Sequence, residues 1–166
     1  FHESMSIAPK MGADIVLLYM DKILTSMDIR DPGLRSLPPG VERYLIRGGG
    51  LSVIVLDPDD KIEITDTEGK QKCEIIVFNK EGKPDCSLLG LKEKNDPKNI
   101  KKILSDKNES AFQAASTLKK RNLDVGKAKA SILFNNDSKA GEKINLVSKD
   151  KCTCIFSAPG DAMKID

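Results

Sequence analysis

From Glu42 to Asn79 the pattern of apolar side chains shifts toward a period of two, in short runs separated by glycine, proline and aspartate. A period of two sends successive side chains to opposite faces, so this stretch buries its apolar half as β-strand. The runs "ERYLIRGG" and "LSVIVLD" flank Gly48, Gly49 and Gly50, where glycine accepts the positive φ of a bulge or tight reversal. "DPDD", Asp57 to Asp60, sets Pro58 where a type I turn favours it. In "KIEITD" Ile62 and Ile64 point inward while Lys61, Glu63 and Thr65 point outward. After "TEGK" the run "QKCEIIVFN" supplies the next strand, and the expectation is a meander of about four antiparallel strands.

Downstream, "EGKPDCSLLGLKEKND" reads as loop. Asp96 and Pro97 then fit an N-cap and first helical position, and Ile100, Ile103 and Leu104 give a helix ending near Lys107. A second helix runs from Ser110 through Phe112, Ala115 and Leu118 to about Arg121, with Lys119, Lys120 and Arg121 at the end that suits cations. Strands return with "KASILFN", "EKINLVS" and "KCTCIFSAP". Upstream, Val16, Met20, Ile23, Leu24 and Met27 carry the stripe of an amphipathic helix over Gly12 to Met27, expected to dock on a partner surface. It is joined by "DIRDPGLRSLPPGVERY", whose three prolines and two glycines read as a linker.

The expected fold is therefore α+β: a mainly antiparallel β-barrel or sandwich with two central helices and an N-terminal amphipathic helix. Residues 1–40 form the helix and linker, and 41–166 a β-rich domain. The opening on Phe1 and the close on "APGDAMKID" suggest a piece of a longer chain.

With 27 basic and 25 acidic side chains the net charge is +2, and aromatics make up 4%. Single-stranded nucleic-acid binders need basic grooves interleaved with stacking rings, so nucleic acid is not an expected partner. The longest apolar run, "IVLLYM", is far short of a bilayer span, and no signal peptide is visible, so a cytoplasmic protein with reduced Cys73, Cys86, Cys152 and Cys154 is expected.

His2 is the only histidine, which excludes a Ser-His-Asp or Cys-His dyad within residues 40–166. No complete catalytic constellation is present, and no catalytic residue is assigned. Cys152 and Cys154 fall on one face of a strand and could chelate a metal with Cys73 or Cys86. Structural zinc prefers C-x₂₋₄-C spacing from a turn, so buried small hydrophobes are the expectation and no metal ligand is assigned. The glycines at 48–50 lead into a strand rather than a helix N-terminus, which makes them a bulge and not a phosphate loop.

The polar candidates gather around "DTEGKQ". Arg43 and Arg47 flank one strand, and Asp66, Glu68, Gln71 and Glu74 surround this turn, so a curled sheet could bring them to one rim and bind a small polar metabolite. Asp161, in the loop "SAPGDAM", is a further candidate at a pocket mouth. The other reading is a hairpin turn with solvated charges, Asp66 at position i of a type I turn and Gly69 at i+3.

The stretch from Glu42 to Asn79 resembles the opening of the urea-carboxylase-associated family of β-rich domains, through Asp60, Ile62, Ile64, Asp66, Gly69, Gln71, Glu74 and Phe78. Stand-alone members of that family carry cysteine and histidine metal ligands further on, and this sequence has no histidine there. A version fused to glycine-cleavage T-protein-like aminomethyltransferases is more similar, from about Glu42 to the "APGDAM" loop ending at Met163. That resemblance implies an accessory or ligand-binding domain in folate-linked one-carbon metabolism. Its partners would be folate-binding methyltransferase domains in the same or a partner chain, and tetrahydrofolate would be held by the parent protein, with no cofactor here. The alternative it leaves open is a stand-alone metal-dependent hydrolase-like protein using Cys86, Cys152 or Cys154. A third expectation is a homo-oligomer, formed through the N-terminal stripe and an exposed strand edge.

Overall fold

The computed structural model describes residues 5–6, 15–20, 37, 40–107, 109–158 and 160. The expectations for most of the 1–40 linker and for Asp161 to Met163 lie outside the described residues. Nine strands are described: β1 (Met5–Ser6), β2 (Ile15–Met20), β3 (Val41–Ile46), β4 (Leu51–Leu56), β5 (Lys61–Asp66), β6 (Cys73–Asn79), β7 (Ser131–Leu133), β8 (Glu142–Val147) and β9 (Cys152–Ser157). A 3-10 turn, Cys86–Leu89, and two helices, α1 (Lys98–Leu104) and α2 (Glu109–Lys120), separate β6 from β7. The fold is α+β with antiparallel sheets, as the pattern predicts, and its strands stack as a sandwich.

One sheet has the order β1-β4-β9-β6-β7 and the other β3-β2-β5-β8. From β3 to β6 consecutive strands therefore alternate between sheets, which corrects the meander expected there. The reason lies in the strands themselves. "LSVIVL" and "CEIIVFN" are apolar on both faces and are buried almost throughout, so they occupy the interior sheet. "VERYLI" and "KIEITD" alternate, so they take the outer sheet with one face in water. In β5, Ile62 and Ile64 are buried while Lys61 is exposed and Glu63 and Thr65 are half-buried.

Between the sheets lies a core that includes Ile46, Ile54, Leu56, Ile62, Ile64, Ile75, Val77 and Phe156. A second core on the far side of the interior sheet packs Leu51, Val53, Ile76, Phe78 and Ile155 against Ile100 and Ile103 of α1 and Ala114 and Leu118 of α2. Each fully buried branched or aromatic side chain contributes roughly 1.5–3 kcal/mol.

Residues Ile15–Met20, expected on a helix, form a strand instead. "IVLLYM" is a continuous apolar run, for which period alone does not separate helix from strand. β2 pairs antiparallel with β3 on one side and β5 on the other, so it is a central strand of the outer sheet.

The start of α1 also differs from expectation. Pro97 is the N-cap and makes no side-chain capping bond. The helix is capped from the sheet: the Glu74 carboxylate accepts hydrogen bonds from the backbone N–H of Asn99 at 2.9 Å and of Ile100 at 3.0 Å. An anion here satisfies orphan donors and opposes the positive end of the helix dipole. Asp96 instead holds Lys101.

Candidate functional site

Because each connection between the sheets reverses the chain, the loops sort into two ends. At one end lie the β3–β4 loop (47–50), the β5–β6 loop (67–72), the β7–β8 loop (134–141) and the residues after β9. This end carries Arg47, Asp66, Glu68, Gln71 and Glu74, five of the predicted rim residues. Arg43 does not join them. It stands opposite Leu18, which in turn faces Glu63, three residues back from Ile46 and so roughly 10 Å down the strand. Asp161 lies outside the described residues.

Two stretches that are far apart in sequence meet here. Gly49 N–H donates to the Ala158 carbonyl at 3.2 Å, and Ala158 N–H to the Gly50 carbonyl at 3.3 Å. A Cβ on Gly160 would stand 2.9 Å from the Gly49 Cα, so the two backbones approach as only glycine allows. The triple glycine and "SAPG" are thus one interlocked feature, a partnership that neither segment announces alone.

"DTEGKQ" is held from within. Asp66 is completely buried. Its Oδ1 accepts from Gly69 N–H at 2.9 Å, and its Oδ2 accepts from Gln71 N–H at 3.1 Å and from the Ser138 hydroxyl at 2.7 Å. Lys70 N–H donates to the Ser138 carbonyl and Gly141 N–H to the Asp66 carbonyl, so the 67–72 and 134–141 loops are bolted together through one carboxylate. The backbone is demanding: Gly69 and Lys70 have φ of 80° and 59°, and the buried Phe134 has φ of 60°. A bulky residue in the left-handed region is strained, and such strain persists only where the surroundings over-determine it.

Asp66 therefore shapes the loop and presents no free oxygen, while Glu74 is committed to α1. What remains for a ligand is the exposed guanidinium of Arg47, the exposed carboxylate of Glu68 and the half-buried amide of Gln71. Among the described residues none of these three side chains has a hydrogen-bond or ion-pair partner. They offer a cation, an anion and a donor–acceptor amide on a rigid loop end. That set has the charge and hydrogen-bonding complement of a site for small polar molecules.

The cysteines are all free and buried. Burial pushes the Cys73 thiol up to about 12 and the Cys86 thiol up to about 11. Burial also holds Cys154 well above the usual thiol range. Cys152 is drawn below that range by its hydrogen bond with Cys154, 3.8 Å away, against the opposing effect of burial. The Ser148 hydroxyl, 3.3 Å from Cys152 Sγ, points its one proton at the Asp150 carbonyl, 2.6 Å away. Cys152 is then the donor to Ser148, which favours a packed thiol over a thiolate. Among the described residues no three His, Cys, Asp or Glu side chains are arranged to hold a metal ion. No helix among them is long and apolar enough to cross a membrane.

No protein-family model matches the chain, and no solved structure matches it. The chain is similar to the trimethylamine-oxide aldolase of Ruegeria pomeroyi, with 33% identity over 135 residues. The match takes in 81% of this chain and spans only 17% of the length of that relative. At this identity the chain is a distant homologue of one section of an enzyme.

Proposed function

We propose that this chain is a ligand-binding accessory module of an enzyme that handles a methylated amine or amine oxide, without a complete active site of its own. The observation that carries the reading is the similarity to a section of the trimethylamine-oxide aldolase, which takes in most of this chain and a small part of that protein. The site geometry supports it: Arg47, Glu68 and Gln71 stand at the loop end locked by Asp66, and among the described residues their side chains have no partner. In this reading the rim binds a small polar metabolite. Tetrahydrofolate and the aminomethyltransferase-like chemistry of one-carbon transfer belong to folate-binding methyltransferase domains, and the assembly is cytoplasmic.

The test has two arms on the purified 166-residue chain. Calorimetry with trimethylamine N-oxide, dimethylamine and glycine should show saturable binding of at least one. Incubation with these compounds and tetrahydrofolate should give no turnover. Turnover by the chain alone overturns the accessory role, and the absence of binding to all three overturns the ligand class.

A further inference from the structure

Charge is unevenly distributed in this protein. From Lys98 to Lys129, the stretch that forms α1, α2 and the return to β7, there are nine basic and three acidic residues, so it carries +6 in a chain of net +2 and leaves −4 on the remainder. All nine cations are exposed or half-exposed. Asp96 and Asp124 hold Lys101 and Lys127. Lys98, Lys102, Lys107, Lys119, Lys120 and Lys129 have no partner among the described residues. Like charges concentrated in one stretch repel one another, and a complementary surface relieves that repulsion.

The same layer holds a groove of about 530 Å³, lined mainly by Leu104, Ala115, Leu118, Leu123 and Val125, with Lys119, Asn122 and Asp124 at its edge. Beside it Phe112 leaves 76% of its surface exposed. Phe112, Ala115 and Lys119 are spaced i, i+3 and i+7, so they share one face of α2, and Phe112 stands about 4.5 Å along the axis from Ala115 of the lining.

We propose that this face of the helical layer docks an acidic protein segment carrying an apolar anchor residue, the anchor entering the groove and the acidic flanks meeting the unpaired lysines. Charge complementarity selects an acidic occupant, and the concave aliphatic lining selects one with a side chain to insert. A single-stranded nucleic acid needs several stacking rings interleaved with its cations, and the stretch from Lys98 to Lys129 offers the single ring of Phe112. A bilayer surface can take up the exposed Phe112 ring but has no apolar group to place in the concavity.

The test uses the full chain and four probes: a fluorescent 15-residue peptide of glutamates around central Leu and Phe, the same peptide with lysines for glutamates, a 15-nucleotide thymidine oligomer, and phosphatidylserine–phosphatidylcholine vesicles. The acidic peptide should bind, shifting the amide resonances of Ala115, Leu118, Leu123 and Val125, and weaken about tenfold between 50 and 200 mM salt. Phe112→Ser and the pair Lys119→Glu, Lys120→Glu should each weaken it at least tenfold. The urea midpoint of Phe112→Ser should not change, since its side chain is exposed, and that of the lysine pair should fall only by the small loss of charge complementarity at the end of α2. The proposal is overturned by no acidic-peptide binding at 1 mM, by equal binding of the lysine peptide, by shifts confined to other surfaces, or by binding of only the oligomer or vesicles.

Discussion

Removing the Asp66 carboxylate should unlock the loop end of the sandwich. Asp66 is buried and accepts three hydrogen bonds, from Gly69 N–H, Gln71 N–H and Ser138 Oγ. A hydrogen bond to a charged group contributes roughly 1.5–3 kcal/mol, and a buried donor left without an acceptor costs about 1–3 kcal/mol. Asp66→Ala strands the two backbone donors and frees Ser138, so it should cost roughly 4–6 kcal/mol, a large share of a typical domain's stability. Asp66→Asn is milder. Its amide can donate to Ser138 Oγ, whose proton is also within reach of the Asn135 carbonyl at 2.9 Å, leaving only Gln71 N–H without an acceptor. That variant should cost about 2 kcal/mol. Urea unfolding followed by circular dichroism gives the free energies, and hydrogen exchange at Gly69 and Gln71 reports the loop itself. An alanine variant losing under 1 kcal/mol, with exchange at both amides unchanged, would refute the bolt.

Three further outcomes follow from the same geometry. Glu74→Ala should cost about 1–2 kcal/mol and speed hydrogen exchange at Asn99 and Ile100, because the carboxylate that accepts their N–H groups at the start of α1 is lost; unchanged exchange would remove Glu74 from that role. Gly69→Ala should cost about 2 kcal/mol or more, since a Cβ at φ of 80° would stand 2.6 Å from the Ala140 nitrogen; a neutral effect in urea unfolding would contradict the turn geometry. Stability should fall as pH rises from about 9, because native Cys73 and Cys86 keep protons, up to about 12 and 11, that the unfolded chain releases near 9.0. Each thiol contributes a slope of roughly 1.4 kcal/mol per pH unit. Cys73→Ala should flatten that slope by one thiol's share, and identical slopes would show that burial does not protect Cys73.

Strands whose two faces differ were readable from the sequence. "KIEITD" matches β5 residue for residue, because alternating polar and apolar side chains fix both the strand and its buried face. The two central helices were readable too, within a few residues at each end. The assignment of strands to sheets was not, since it depends on which runs are apolar on both faces and can be enclosed, a property of packing rather than period. "IVLLYM" lacked a diagnostic period altogether, and its neighbours β3 and β5 determine that it is a strand. At the site, composition marked the turn correctly but could not say which carboxylates are spent inside the protein. Asp66 and Glu74 find partners 72 and 25 residues away, and such distant partners leave no local trace. The groups left over are Arg47, Glu68 and Gln71, and of these only Gln71 and Glu68 stand out in the motif itself.

The central proposal is that the loop end carrying Arg47, Glu68 and Gln71 binds a small polar ligand. The most direct measurement is a titration of the isotopically labelled chain with trimethylamine N-oxide, read at the amide resonances of 47–50 and 67–72, and repeated with Gln71→Ala. The account predicts saturable shifts at both loops that Gln71→Ala weakens at least tenfold. The urea stability of that variant should stay within about 0.5 kcal/mol, because the Gln71 side chain makes no bond among the described residues. Shifts confined to other surfaces, or no difference between the wild-type chain and Gln71→Ala, would contradict it.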